Sequence, residues 1–396
     1  MRPRVALVGP IAPLRGGIAS HSARLVEALA RGGWAVEVLS YSRLYPRLGF
    51  PGSSQFLDPA AALDATPEAE PHARVHTLLD TLDPRSWRRS AACLARMDPA
   101  RVVVQWWHPV TAPALIWLLS GRQRQSVTIL CHNLLPHEAF PLARRLARAT
   151  LGRAGLVVCH SRRVADQVLG LLPTARVETV ELAPLIDPDR QSGFDPRAWA
   201  AARYGFAAGS PLVLMAGHLR SYKGVEVLLE AWRLRPRRGT AGERLLLVGE
   251  CYLRGSARRR VLAAVAADPS IVFVNRYVDD GELVRLLRIC RVLVLPYLRA
   301  SQSGILPLAT ALGVPCLVSD AGALAEQAPA ARVLASGDAG ALAAALGEVL
   351  ADRRAGEAGA EAAMTGRGAG CAAKRDGDFH AQWRSLVEVV SGGVRP

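Results

Sequence analysis

The sequence predicts an α/β chain of two doubly wound parallel-sheet, Rossmann-like domains facing across a cleft. Short Val-rich apolar runs alternate with helical patterns along the chain. The alternation breaks around Pro184–Pro188 and on through Pro196, and it then resumes as a second series of similar size. Continuous apolar runs suit parallel strands covered on both faces, and strand–helix alternation implies α/β layering. The expected boundaries are 1–190, 191–375, and a C-terminal helix at 376–396 that packs back on the first domain.

In the first series the strands fall at Val5–Val8, Val36–Leu39, Val102–Gln105, Val127–Cys131 and Leu156–Cys159. Helical patterns lie at Ile18–Arg31, Ala112–Leu119, Pro141–Arg153 and Arg163–Leu171. The stretch from Tyr41 to about Pro71, rich in Pro, Gly, Ser and Asp, reads as an irregular excursion. In the second series strands at Leu212–Met215, Leu245–Val248, Ile271–Val274, Val292–Leu295 and Cys316–Val318 alternate with helices. Those helices are Val225–Leu234, Ala257–Ala266, Gly281–Ile289 and Ile305–Leu312, followed by Ala341–Leu350. A loose Gly/Ala-rich segment runs from about 355 to 373, ahead of an amphipathic Phe379–Val390. In doubly wound sheets ligands sit beyond the carboxyl ends of the strands, so the strand-to-helix turns are where chemistry is sought.

Composition narrows the function. Half of the residues are apolar and 21% charged, which excludes a disordered chain. No apolar run reaches the roughly 20 residues of a membrane-spanning helix; the longest, Val110–Leu119, is broken by Pro113. Without a signal-peptide pattern, a soluble cytoplasmic protein is expected. The 7 cysteines form no C-x-x-C pair, so neither a disulfide framework nor a zinc site is indicated. The formal charge of +15 favours anionic partners. No nucleic-acid module accompanies it, so nucleic acid is not expected. Nearly all of the basic residues are arginine, the exceptions being Lys223 and Lys374, as a GC-rich coding sequence produces by itself. A lysine in that background marks a position worth examining.

Four motifs stand at strand ends. Gly16-Gly17 after the first strand lets backbone N–H groups approach an anion or sugar at a helix start. Gly217-His-Leu-Arg220-Ser-Tyr-Lys223-Gly224 combines two cations with a helix start, a pattern suited to phosphate. Ser301-Gln302-Ser303-Gly304 places small residues where a nest of N–H donors forms. Histidines cluster in the first half: His132 directly after Val127–Cys131, with Asn133, His137 and Glu138 beyond it, His108 after Trp107, and His21 in the first helix. The offsets of His132, His137 and Glu138 lack helical ligand spacing, so no metal is expected there. His132 and Glu138 read as polar cleft residues.

Taken together, these motifs resemble the large family of retaining GT-B-fold glycosyltransferases that includes the bacterial lipid and polysaccharide mannosyl- and glucosyltransferases. The resemblance covers essentially the whole chain. It rests on Gly16-Gly17, His132, Ser161, Gly217…Arg220…Lys223-Gly224, Gly304…Gly313-Val-Pro315 and Asp320…Gly322. It implies a hexosyltransferase whose nucleotide-diphosphate sugar donor is held by the second domain, with Arg220 and Lys223 on the diphosphate. Catalytic roles fall on His132, Arg220 and Lys223. Donor contacts fall on Gly16, Gly17, Ser301, Gln302, Ser303 and Gly304. The acceptor, a lipid-linked or surface saccharide, is expected near His21, His108, Asn133 and Glu138, with retention and without a metal or other cofactor. His132 is expected to face Arg220 and Lys223.

One departure stands out. Many members carry E-x7-E before the Gly-Val-Pro turn, and Ala300 and Leu308 occupy those positions here; a branch with a Gln-Ser-Gly loop resembles Ser301–Gly304. A non-catalytic sugar-nucleotide binder and a sugar-nucleotide 2-epimerase are the competing functions. Arg144, Arg145, Arg148 and Arg153, interleaved with Leu142, Leu146 and Leu151, form a basic amphipathic pattern. It suits an anionic membrane surface, here the inner face of the plasma membrane, and serves a solvated helix equally well.

Overall fold

The structure, a computed structural model, describes residues 2–45, 54–57, 73–136, 140–187, 195–236, 242–352 and 377–392. It forms two compact units, Met1–Leu185 with Asp376–Pro396, and Ile186–Arg375.

The first unit is built on a parallel seven-stranded sheet in the order β3-β2-β1-β4-β5-β6-β7. Its strands are β1 (Arg4–Val8), β2 (Ala35–Arg43), β3 (Ala73–Asp80), β4 (Arg101–Trp106), β5 (Val127–Cys131), β6 (Leu156–Cys159) and β7 (Val177–Thr179). Helices α1 (Gly17–Arg31), α2 (Pro84–Met97), α3 (Ala112–Leu119), α4 (Ala143–Leu151) and α5 (Arg162–Leu171) connect them. The central strands are buried on both faces, as their unbroken apolar runs require. The order reverses between β1 and β4, which makes the carboxyl ends of these strands the natural ligand side.

Three elements escape the sequence reading of this unit. Strand β3 follows directly on the expected excursion, most of which (46–53 and 58–72) lies outside the described residues. It is an edge strand carrying Arg74, His76 and Thr77, mostly half-buried, so it lacks the apolar run of its neighbours. Helix α2 is arginine-rich, and its signal is instead Asp83-Pro84: the Asp83 carboxylate accepts from Arg85 N at 2.9 Å and Pro84 starts the helix. Strand β7 has only three residues.

The C-terminal helix α13 (Gly377–Val390) packs within the first unit. Trp383, Leu386, Val387 and Val390 are buried in a layer with Leu25, Val26 and Leu29 of α1. Trp383 Nε1 donates to the Pro184 carbonyl at 3.2 Å, and Thr128 Oγ1 to the Val390 carbonyl at 3.3 Å.

The second unit repeats the plan with a parallel six-stranded sheet in the order β10-β9-β8-β11-β12-β13. Its strands are β8 (Leu212–Ala216), β9 (Arg244–Val248), β10 (Ile271–Val274), β11 (Val292–Leu295), β12 (Cys316–Ser319) and β13 (Arg332–Leu334). The helices are α6 (Pro196–Tyr204), α7 (Val225–Leu234), α8 (Gly255–Ala267), α9 (Asp280–Ile289), α10 (Leu306–Ala311), α11 (Leu324–Gln327) and α12 (Ala339–Ala351). Pro196, expected to end the linker, instead starts α6. Asp195 accepts from Arg197 N and Ala198 N, and a proline at the first helical position forfeits no helical hydrogen bond. Positions 188–194 and the Gly/Ala-rich 355–373 segment lie outside the described residues.

A buried ion-pair network fixes α6 to α9. The Glu282 side chain, 3% exposed, receives Arg276 at 2.5 and 2.7 Å, Arg203 at 3.1 Å and the Tyr204 hydroxyl. Burial alone would raise the Glu282 carboxyl, but the three donors outweigh it and hold it below the usual carboxylate range. Among the described residues, no helix is long and apolar enough to cross a membrane.

Candidate functional site

Two groups of functional side chains form, one in each unit. In the second unit, the turn after β8 opens with Gly217 at φ +99°, and a Cβ on Gly249 would lie 2.2 Å from the Gly217 carbonyl. This close approach draws the β8 and β9 ends together. A 3-10 turn at Ser221–Lys223 follows, and Gly224, at φ +69°, enters α7 with its backbone against Pro296; a Cβ there would fall 1.9 Å from the Pro296 carbonyl. The Leu298 N–H then donates to the Tyr222 carbonyl at 2.7 Å. The Gly217–Gly224 turn and the loop after β11, separate in sequence, therefore form one structure.

Arg220 and Lys223 lie on this platform. The Arg220 guanidinium stands 4.9 Å from the Tyr252 ring, and the Lys223 ammonium 5.4 Å from the Tyr297 ring and close to Gly217. Burial lowers the Lys223 pKa, and the Arg220 charge lowers it further against the opposing effect of Tyr222. No carboxylate pairs with Lys223 among the described residues. Glu250 is the nearby acid; it accepts from the Tyr252 hydroxyl at 3.0 Å and lies 3.5 Å from His218 Nε2. Burial first, and then the charges of Lys223 and Arg220, lower the His218 pKa against the pull of Glu250. Two cations side by side, the lysine partly desolvated, suit an anionic ligand.

In the Ser301–Gly304 loop, Ser301 and Gln302 are half-buried, Ser303 buried and Gly304 exposed. Ser303 is held from within the unit. Its backbone N–H donates to Gln327 Oε1 at 2.7 Å, and its side chain bonds to Tyr297, whose hydroxyl pKa burial raises to about 12. The helix that follows is short, starting at Leu306 rather than Ile305. Leu308, at one of the two glutamate positions, is 1% exposed in the core, and the Ala300 carbonyl backs onto Gly322, whose Cβ would fall 1.8 Å from it. A carboxylate at position 308 would therefore lie in the core.

In the first unit, Gly16 at φ +115° starts α1, and a Cβ there would meet nothing within 4 Å. No side chain caps this helix start. Four residues into α1, His21 is buried among rings: 4.7 Å from His132, 5.2 Å from His160 and 5.1 Å from Trp383. His132 and His160 are 5.1 Å apart. Gln105, at the end of β4, bridges two of them, with Oε1 2.5 Å from His132 Nε2 and Nε2 3.1 Å from His21 Nδ1. It reaches them across Gly9, where a Cβ would lie 2.6 Å from Gln105 Cγ. Burial lowers the pKa of all three histidines, His160 to about 4, so the rings are neutral.

The remaining first-unit candidates separate from this group. His108 spends Nδ1 accepting from Val110 N at 3.1 Å and packs edge-on against Phe140. Ser161 caps α5 by accepting from Val164 N. Asn133 is half-buried beside His132, and His137 and Glu138 lie outside the described residues. The sequence reading missed His160, Gln105, Tyr252, Tyr297 and Glu250. His160 had a signal: Cys-His occurs at two strand ends, 131–132 and 159–160, and β5 and β6 pair with Cys131 opposite Cys159. Strand alternation then turns both histidines to the face opposite the cysteines.

Comparison with known proteins agrees with this layout. Residues 16–183 match the glycosyl transferase 4-like domain and residues 210–352 the glycosyl transferases group 1 model. A GDP-mannose:glycolipid 4-beta-D-mannosyltransferase of Xanthomonas campestris pv. campestris is 35% identical over 188 residues, covering 47% of this chain and 48% of its own. The chain thus spans about half the length of that relative. Among solved structures, sucrose-phosphate synthase from Thermosynechococcus elongatus superposes with a TM-score of 0.68 at 21% identity, covering 98% of this chain and 96% of that one. Anabaena HepE in complex with UDP-glucose gives 0.65 at 15% identity, covering 98% and 100%. At these identities the likeness speaks for the fold. With a glycosyl transferase 4-like domain followed by a group 1 domain, each on its own parallel sheet, the chain belongs to the GT-B-fold group 1 glycosyltransferases, a family of transferase enzymes.

Proposed function

We propose that the chain transfers a hexosyl unit from a nucleotide-diphosphate sugar to a lipid-linked or surface-polysaccharide acceptor. The observation that carries this reading is the half-buried Arg220–Lys223 pair, set at the carboxyl end of β8 beside a glycine entry to α7. In the transfer, the bond between the anomeric carbon and the diphosphate breaks and its electron pair leaves with the diphosphate. The acceptor oxygen forms the new bond and gives up its proton to the departing phosphate or solvent. Fixed cations and N–H dipoles aimed at the developing charge lower the barrier. Arg220 and Lys223 fill this role without a cation on the diphosphate, and Ser301, Gln302 and Gly304 line the sugar side. Acceptor recognition falls to the first unit, around Gly16, Gly17 and His132.

The mannosyltransferase relative supports a glycolipid acceptor and GDP-mannose as the first donor to try. It also gives a specific reason for a second stereochemical reading. The resemblance implies retention, whereas a β-linked mannoside made from an α-linked nucleotide donor requires inversion. Helix α4, with its arginines and the exposed Leu142, supports contact with an anionic lipid surface. The test is incubation of purified protein with labelled GDP-, UDP- and ADP-sugars and a lipid-linked saccharide extract. Transfer with release of nucleotide diphosphate supports the proposal, and the anomeric configuration of the product chooses between retention and inversion. Binding without turnover, or release of an isomerised nucleotide sugar, contradicts it.

A further inference from the structure

We propose that Gln105 is a positioning residue for His132: its amide fixes which ring nitrogen of His132 carries the proton and ties that choice to His21. The inference rests on the transferase reading for its consequence, since it supports a histidine on the proposed acceptor side. Its evidence lies in the first unit alone.

Gln105 is fully buried near the end of β4, where an amide has to find partners. Its oxygen stands 2.5 Å from His132 Nε2 and its nitrogen 3.1 Å from His21 Nδ1. Gly9 makes the room, because a Cβ there would lie 2.6 Å from Gln105 Cγ. The amide thus joins β4, the residue after β5 and helix α1, all packed into the body of the unit rather than carried on a free loop.

The protons follow from the surrounding bonds. A carbonyl can only accept, so the 3.0 Å bond from His160 Nδ1 to the Val180 carbonyl puts that proton on Nδ1 and leaves Nε2 a lone pair. Burial keeps all three rings neutral, with one proton each. With the Gln105 oxygen toward His132, His132 donates from Nε2. With the amide nitrogen toward His21, His21 accepts at Nδ1 and carries its own proton on Nε2. His21 Nε2 and His160 Nε2 are buried without a hydrogen-bond partner, in rings whose centroids lie 5.2 Å apart. This orientation makes them a donor and an acceptor. The reversed amide would place all three protons on Nδ1 and turn the two nitrogens into a pair of lone pairs. Complementarity selects the first orientation, in which His132 donates to Gln105 and Gln105 donates to His21.

A histidine that serves chemistry is commonly oriented by a third group that sets its tautomer. Gln105 fills that place here, and two substitutions separate its bonds from its bulk. Methionine keeps the length of the side chain but neither donates nor accepts. Glutamate still accepts from His132 Nε2, and it forces the His21 proton onto Nδ1.

The experiment uses the full chain carrying isotope-labelled histidine, read by imidazole nitrogen NMR, beside steady-state kinetics. The expected wild-type spectrum shows His21 and His132 protonated on Nε2 and His160 on Nδ1. Gln105→Met should release the first two into mixed tautomers. It should also lower kcat for sugar transfer by about tenfold or more at unchanged donor KM. Gln105→Glu should move the acid limb of the rate profile to higher pH, because a carboxylate favours the protonated ring. A wild-type His132 or His21 protonated on Nδ1 overturns the proposal, and so does a Gln105→Met chain with wild-type tautomers and kcat. Should a variant fail to fold, the wild-type spectrum decides by itself. A folded wild-type chain that turns over no donor contradicts the transferase reading, while the spectrum still tests the Gln105 assignment, so the two failures are distinguishable.

Discussion

Lys223 shows how a single residue becomes legible. In a chain whose cations are almost all arginine, a lysine at a strand-to-helix turn stands out, and the structure gives it a half-buried setting above Tyr297. Lys223→Ala and Arg220→Ala should each lower turnover at least a hundredfold with the fold intact. A lost transition-state phosphate contact is worth about 3 kcal/mol, and steady-state kinetics with circular dichroism checks the pair. Leu308→Glu should not restore a donor contact. It places a carboxylate in a packed core, so its measurable effect is a lowered Tm. Glu282 was silent in the sequence, since a carboxylate that recruits Arg203, Tyr204 and Arg276 from elsewhere in the chain leaves no local pattern. Glu282→Ala strands these donors and should cost about 3–5 kcal/mol in denaturant unfolding. Because its folded pKa is depressed, Glu282 contributes stability that is present above its unfolded value near 4.5 and lost as pH falls through the lower folded value. Acid titration of wild type and Glu282→Gln should therefore diverge below about pH 4.5 in how much stability they lose, the wild type losing more.

At the scale of elements, the buried parallel strands were legible because double burial demands uninterrupted apolar residues. Edge strands β3, β7 and β13 were not, since half their surface meets solvent or loop and their pattern dissolves. Helices α2 and α6 were announced by Asp-Pro, a cap followed by a proline at the first position, which is easily mistaken for a linker. Turn geometry was legible only where glycine stands: Gly224→Ala combines a left-handed backbone with a Cβ 1.9 Å from the Pro296 carbonyl. That substitution should push apart the two loops carrying Lys223 and Ser301–Gly304, and weaken donor affinity in calorimetry more than it lowers Tm. Truncation before α13 should act differently. It exposes the layer that Trp383, Leu386, Val387 and Val390 cover, and each fully buried side chain of this type contributes about 1.5–3 kcal/mol. The expected outcome is loss of cooperative unfolding in the first unit, read by thermal denaturation.

At the scale of the whole molecule, each unit reverses its strand order once, between β1 and β4 and between β8 and β11, and the polar groups gather at the carboxyl ends of those strands. Sequence reasoning reached this architecture because strand–helix alternation is global and redundant. It reached the Arg220–Lys223 turn through charge and glycine spacing. It did not reach the three-histidine cluster, because Gln105, His21 and His160 are brought together only by the order in which strands pair. Of the two positions that depart from the glutamate pattern, Leu308 is part of the core. The claim that joins these scales is that the half-buried Arg220–Lys223 pair serves a sugar-nucleotide diphosphate in a transfer reaction. The most direct measurement is transfer of label from GDP-mannose and UDP-glucose to a lipid-linked saccharide by wild type and Lys223→Ala, with nucleotide diphosphate release followed in parallel. Labelled glycolipid and stoichiometric diphosphate from wild type, both reduced at least a hundredfold in Lys223→Ala, is the expected result. A wild-type chain that binds neither donor, or a Lys223→Ala variant that turns over like wild type, would contradict it.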